Sequence, residues 1–137
     1  DEYVKRISAF DRVQVEEVKD EPNLHTDREA EERRVRDAEA ARVLDRLKAD
    51  DFVVLLDLHG TMPDSPGFAW KLIQWRQAGH LVFVIAGSLG PGEALVRRAG
   101  YRLKLSDLTF THMMTRVLLL EQIYRGFMID AGRSYHK

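Results

Sequence analysis

Two rhythms of apolar residues run along the chain. Phe52-Val53-Val54-Leu55-Leu56-Asp57-Leu58 and Leu81-Val82-Phe83-Val84-Ile85 are nearly unbroken apolar runs of strand length. Such runs suit strands covered on both faces, as in a parallel sheet. Tyr101 to Leu105 predicts a third strand, and Val13-Gln14-Val15-Glu16 alternates like a half-buried one. Elsewhere the spacing is helical. Tyr3, Val4 and Ile7 share one side of a first helix. Thr26 with Glu29 three residues on forms a capping box. It opens a helix to about Ala49, with a thin stripe of Ala38, Ala41, Leu44 and Leu47. A helix from about Gly67 to Ala78 carries Phe68, Leu72 and Trp75 on one face, and Pro91 suits the first position of a short helix ending near Gly100. The last helix, about His112 to Ile129, aligns Met113, Val117, Leu120, Tyr124 and Phe127, and Met114, Leu118 and Leu119 widen that surface. One face of it would go to the sheet and the other to a second copy of the chain.

Strands alternating with helices predict an α/β fold, a mainly parallel sheet with helices on both faces. At 137 residues the chain is long enough for one domain, residues 1–137, with a sizeable core. Ligands in such folds bind outside the carboxyl ends of the strands. That directs attention to three loops: Leu58 to Pro66, Ala86 to Pro91, and Ser106 to His112.

Composition narrows the chemistry. There is no cysteine, so disulfides and thiolate metal sites are excluded, and a cytoplasmic location follows as the simple expectation. No run approaches the roughly 18 apolar residues of a membrane span. Net charge is −1, but it is unevenly spread. Residues 1–50 hold 11 Lys and Arg against 15 Asp and Glu, a balance of −4, and residues 51–137 hold 10 against 7, a balance of +3. Any RNA contact would be a local patch in the second part.

The loops offer three candidate chemistries. Gly87-Ser88-Leu89-Gly90 follows a strand and precedes a helix, so its N–H groups would cradle an anion or carboxylate, or simply make a tight turn. It lacks the full G-x-G-x-x-G. Asp57-Leu58-His59-Gly60-Thr61 resembles the strand-end Asp-x-Asp-x-Thr of haloacid-dehalogenase-type phosphatases. His59 stands where the second carboxylate belongs, however, and no later acidic pair completes an oxygen-rich Mg²⁺ site. Among His25, His59, His80, His112 and His136 no pair has helical metal-ligand spacing, and no metal is expected. His25 and His80 read as exposed loop residues, and His112 as a cap of the last helix.

Four segments together carry a more specific resemblance: Phe83-Val84-Ile85-Ala86-Gly87-Ser88-Leu89-Gly90, Leu105-Ser106-Asp107-Leu108-Thr109-Phe110-Thr111-His112, Arg116-Val117-Leu118-Leu119-Leu120-Glu121-Gln122-Ile123-Tyr124-Arg125, and Tyr135-His136-Lys137. Their order and spacing resemble the RlmH family of SPOUT methyltransferases, which modify a pseudouridine at N3 in large-subunit ribosomal RNA. The resemblance implies a trefoil-knotted sheet, with the knot at about residues 82–137. It implies S-adenosylmethionine as cofactor, held by Leu56, Ala86, Gly87 and the run Leu105, Ser106, Asp107, Leu108, Thr109 and Phe110. It implies a homodimer acting on the ribosome, in which His136, Arg125, Tyr135 and Lys137 of one subunit serve the cofactor of the other. His136 would orient or deprotonate the base nitrogen, Arg125 and Lys137 would hold negative charge, and Tyr135 would stack. Two departures stand out. Ala86 takes the place of a family glycine, and the strand and glycine-lysine turn that open the family precede the point where Asp1 begins. A truncated sequence, or an inactive knotted RNA-binding module, is the alternative these imply.

Overall fold

The apolar runs pair as strands because each is covered on both sides. The computed structural model describes residues 2–22 and 28–135. Strand β1 (Phe52–Thr61) lies between β2 (Leu81–Ile85) and β3 (Tyr101–Leu103), parallel to both, in the order β2-β1-β3. Parallel neighbours need crossovers. Helix α3 (Ser65–Ala78) makes one and α4 (Glu93–Arg98) the other. Three helices lie outside these crossovers: α1 (Glu2–Ile7), α2 (Arg28–Leu44) and α5 (His112–Asp130).

The two-residue period of the strands divides the core. Phe52, Val54, Leu56, Leu81, Phe83, Ile85, Tyr101 and Leu103 face α1, α3 and α5, where they meet Ile7, Phe68, Leu72, Trp75, Leu120 and Phe127. Val53, Leu55, Val82 and Val84 face α2 and α4, where they meet Ala40, Val43, Leu44 and Leu95. Each fully buried aliphatic or aromatic side chain contributes about 1.5–3 kcal/mol. The larger layer is built on aromatic contacts: the Trp75 ring lies 4.9 Å from Tyr101, 5.9 Å from Phe68 and 6.1 Å from Phe52. Helices α3 and α5 approach closely at the buried Gly126. A Cβ there would sit 3.0 Å from Leu72 Cδ2 and 3.4 Å from the Ala69 backbone.

Several local expectations are corrected. Val13 to Glu16 forms no strand, for it has no ladder partner among the described residues. Instead its neighbourhood is tied down by charge, Glu16 to Arg46 at 2.8 Å and Glu17 to Arg116 at 2.9 Å. Helix α2 stops at Leu44, not Ala49, and tightens into turns that swing Leu47 onto the core. Its buried stripe runs through Glu31, Val35 and Ala40, and Ala41 is exposed. Strand β1 continues past Leu58 to Thr61, because Lys104 N–H donates to Thr61 O at 2.8 Å and extends the pairing. Helix α3 starts at Ser65, where Asp64 caps it through a 2.8 Å bond from Gly67 N–H. Pro91 precedes α4, whose N-cap is Gly92, and β3 ends at Leu103 rather than Leu105. Thr26 and His25 lie outside the described residues.

Candidate functional site

The sheet register sets the frame. Leu56 pairs with Ile85 on one side and Leu103 on the other, so the chain leaves β2 and β3 from one edge. Ala86 and Gly87 depart there, and so does the run from Leu105 to Phe110. The cofactor residues expected from the sequence thereby leave the sheet at its carboxyl edge, all but Leu56 on the two loops that follow β2 and β3.

Each loop is held by specific contacts. Past Ile85, the turn closes through Gly90 N–H to Gly87 O at 3.0 Å, and Gly90 has φ +89°, a conformation open mainly to glycine. Gly87 leaves room for a carboxylate from α2. A Cβ there would lie 2.6 Å from Glu39 Oε1, whose other oxygen accepts the Glu21 N–H at 3.2 Å. Ala86 does not adopt positive φ, so its methyl group imposes no backbone strain. The Ala86 carbonyl lies 3.2 Å from His112 Nδ1, a hydrogen bond when that nitrogen carries the proton. The cap of α5 is Thr111, which accepts from Met114 N–H at 3.3 Å. His112 thus ties the β2 loop to α5 instead of capping the helix.

A cavity of about 460 Å³ opens beside the β3 loop. Phe68, Leu103, Leu105, Phe110 and Leu118 give it apolar walls, while Ser65, Ser106 and Gln122 give it polar groups. Of the expected run, Leu105, Ser106 and Phe110 line the cavity, and Asp107, Leu108 and Thr109 form an exposed tip. The Ser106 hydroxyl accepts from Leu108 N–H at 3.0 Å and so bends the loop, and Asp107 is paired with Lys104. Leu56, Ala86 and Gly87 stand at the same sheet edge but are not part of this cavity wall.

The other expected group sits at the far end of α5. Arg125 pairs with Glu121 at 2.7 Å, as the four-residue spacing predicts, and its guanidinium lies 4.8 Å above the Tyr135 ring. The Tyr135 hydroxyl donates to Glu121 at 2.8 Å, and its ring meets Tyr124 edge-on at 4.9 Å. That bond to a carboxylate, with some burial, pushes the Tyr135 phenol up to about 12. Burial acts to raise the Glu121 carboxyl, but hydrogen bonds from Arg125, Tyr135 and Gln122 outweigh it and hold the carboxyl below its ordinary value. Tyr135 therefore stays protonated, its hydrogen bond donated to Glu121. His136 and Lys137 lie outside the described residues.

His112 and Arg125 are 13 positions apart on one helix, about 20 Å at 1.5 Å per residue. Gln122, only three positions before Arg125, lines the cavity, so the tail cluster stands near the cavity's α5 wall while His112 lies at the other end of the helix. Asp57, the candidate phosphatase nucleophile, has both oxygens engaged, by Arg102 Nε at 2.7 Å and His59 N–H at 2.9 Å. Burial opposes ionisation there, but these donors hold the carboxyl below its usual value. It is a buried structural anion. His80 is exposed as expected, though its ring contacts Asp51 at 3.1 Å. Among the described residues no group of three His, Asp or Glu side chains could hold a metal ion. Sequence reasoning missed Glu39, Ser65 and Gln122. No periodicity marks them, since each acts through a contact across the fold.

The full length of the chain matches a known pattern: residues 1–136 fit the family model described as a predicted SPOUT methyltransferase. The chain belongs to the SPOUT methyltransferase family. With that membership comes the knotted α/β fold the resemblance implied, and the three-stranded parallel sheet with helices on both faces agrees with it. Individual SPOUT relatives are similar over nearly the whole chain. The ribosomal RNA large subunit methyltransferase H of Ruminiclostridium cellulolyticum is 44% identical across 99% of this chain and 87% of its own length. Proteins of the same name from Acetivibrio thermocellus and Listeria monocytogenes are 42% and 40% identical over the same shares.

Proposed function

We propose that this chain is an S-adenosylmethionine-dependent methyltransferase acting on N3 of a pseudouridine in large-subunit ribosomal RNA, as a cytoplasmic homodimer on the ribosome. The observation that carries this reading is the near-full-length similarity to relatives named as large-subunit ribosomal RNA methyltransferases. The geometry supports it in three ways.

The cavity fits the cofactor. Its apolar walls suit a flat adenine, and Ser65, Ser106 and Gln122 offer polar partners for a ring edge or hydroxyls. Leu56, Ala86 and Gly87 at the same edge would hold the rest of the molecule, within a knotted segment of about residues 82–137. When bound, S-adenosylmethionine supplies an electrophilic methyl group on a sulfonium.

Helix α5 accounts for the dimer. Met113 and Val117 lie on the apolar stripe read from the sequence and Met114 widens it, and they are 56%, 39% and 49% exposed. Leu108 beside them is 70% exposed. An antiparallel second copy would cover this apolar end and bring its own Arg125 and Tyr135 toward the loops of the first.

The tail supplies the remaining chemistry. N3 of a uracil-type ring must lose its proton as it attacks. Tyr135, protonated up to about 12, orients or donates and does not accept that proton. The acceptor role falls to His136. Arg125, held by Glu121, places a cation where the ring becomes negative, and Lys137 adds a second charge. No helix among the described residues is long and apolar enough to cross a membrane.

The test is calorimetric titration with S-adenosylmethionine, followed by transfer of a labelled methyl group to large ribosomal subunits and mapping of the modified nucleotide. One cofactor per subunit and a label at N3 of a pseudouridine are expected. Absence of binding by both the chain and an Ala86→Gly variant would refute the reading.

A further inference from the structure

One side chain belongs to both halves of the site. Gln122 lines the cavity beside the β3 loop, yet it is also bonded to the residue that anchors the tail. Its Oε1 accepts from the Ser65 hydroxyl at 2.7 Å, and its Nε2 donates to Glu121 Oε1 at 2.9 Å. The opposite oxygen of Glu121 accepts the Tyr135 hydroxyl at 2.8 Å and Arg125 at 2.7 Å. A continuous hydrogen-bonded path therefore runs from the cavity wall at the start of α3, through two adjacent residues of α5, to Tyr135.

The direction of this path is fixed by chemistry. An ionised carboxylate only accepts hydrogen bonds, so the Gln122 amide must turn its NH₂ toward Glu121. Its carbonyl oxygen then faces Ser65, whose hydroxyl must donate. Flipping the amide would set its oxygen against the carboxylate and lose the bond to Glu121, while Ser65 would have to turn from donor to acceptor. Gln122 thus has one satisfied orientation, and any ligand that competes for Ser65 or for the amide disturbs Glu121 directly. Bonds in such a chain reinforce one another, so the loss of one weakens the next.

We infer that Gln122 is a positioning residue that links the occupancy of a chain's own cavity to the placement of that chain's Tyr135. The inference rests on the reading of the cavity as the cofactor site. In the homodimer Tyr135 would serve the opposite subunit, so filling one cavity would prepare the tail that completes the other. Each subunit then reports its loaded state to its partner without any movement of α5.

The test places ¹³Cζ-labelled tyrosine in the full chain and identifies Tyr135 among the four tyrosines by a Tyr135→Phe control. Saturating S-adenosylmethionine is expected to move the Tyr135 resonance in the parent. Gln122→Leu is expected to move it already in the ligand-free protein and to abolish the response to S-adenosylmethionine, while calorimetry still shows binding. In methyl transfer, kcat should fall about tenfold while the KM for cofactor rises by less than that, because the amide is one cofactor contact among several but the link that places the reacting group. Ser65→Ala cuts the same path from the other side and should also silence the response, which keeps the test valid if the leucine variant folds poorly. A ligand-free Tyr135 resonance identical in parent and Gln122→Leu would overturn the inference, and so would an undiminished response in Ser65→Ala. Failure of the parent to bind S-adenosylmethionine would instead defeat the cofactor reading, and the path would then stand or fall on the ligand-free comparison alone.

Discussion

The two ends of α5 are built on opposite plans. At its C-terminal end nearly every group is engaged within the chain. Phe127 is buried and stacks on Phe10 at 5.3 Å, Tyr124 meets Tyr3 and Tyr135, and Glu121 gathers Arg125, Gln122 and Tyr135. At its N-terminal end Met113, Met114 and Val117 face outward, next to the exposed Leu108. One helix thus carries a preassembled polar cluster at one end and an uncovered apolar surface at the other. Burial of an apolar side chain stabilises it whether the cover comes from the same chain or another. The finished end is complete within one chain, and the open end is the surface on which the proposed dimer depends.

Substitutions at the two ends should separate these roles. Phe127→Ala attacks the finished end hardest. It removes a buried aromatic ring and should cost about 3–5 kcal/mol in urea unfolding, where a loss under about 1 kcal/mol would contradict the packing described. Glu121→Gln comes next, at about 1–3 kcal/mol, because Arg125 and Tyr135 lose a charged acceptor. Spectroscopic titration should show the Tyr135 phenol falling from about 12 toward the ordinary tyrosine value. The pH dependence of the parent follows the same pair. The depressed Glu121 carboxyl contributes stability above the unfolded carboxyl range, and that contribution is lost as pH falls through its folded value. The raised Tyr135 phenol contributes below its unfolded value near about 10 and is lost as pH rises through about 12. In Glu121→Gln both dependences should flatten.

Smaller effects on folding belong to the sheet edge and the open end. Ala86→Gly should lower stability by only about 0.4–1 kcal/mol, through the freer unfolded chain, with cofactor affinity retained. A large gain in affinity would show that the methyl group crowds the pocket. Val117→Glu should change the fold least, by about 0.5 kcal/mol or less, with an unaltered far-ultraviolet spectrum. Its consequence should lie in association: if the proposed dimer forms through this face, sedimentation is expected to show a dimeric parent and a monomeric variant. If the variant remains dimeric, the surface around Val117 is not where the copies meet.

The local rules worked where a signal lay within a few residues. Phe52 to Leu56 and Leu81 to Ile85 announced a doubly covered parallel sheet, and a strict two-residue period leaves no other arrangement for such runs. Glu121 and Arg125 announced their pairing by helical spacing alone. The rules misjudged Val13 to Glu16, where alternation was present but a partner strand was not. They left open what covers Met113 and Val117, since periodicity shows that residues share a face without showing what packs on it. The motif segments led to the sheet edge and the tail, but His136 and Lys137 lie outside the described residues.

By itself, then, the sequence determined the layers of the fold, the three loops at the carboxyl edge and the family, because each is encoded in local order and spacing. Only the tertiary structure decided that the Glu39 carboxylate lies against Gly87, that His112 holds Ala86, that Asp57 is neutralised by Arg102, and that Ser65 reaches Tyr135 through Gln122 and Glu121. Those contacts join residues from different elements. Their partners are chosen by the packing of helices on the sheet, which no window of the chain contains.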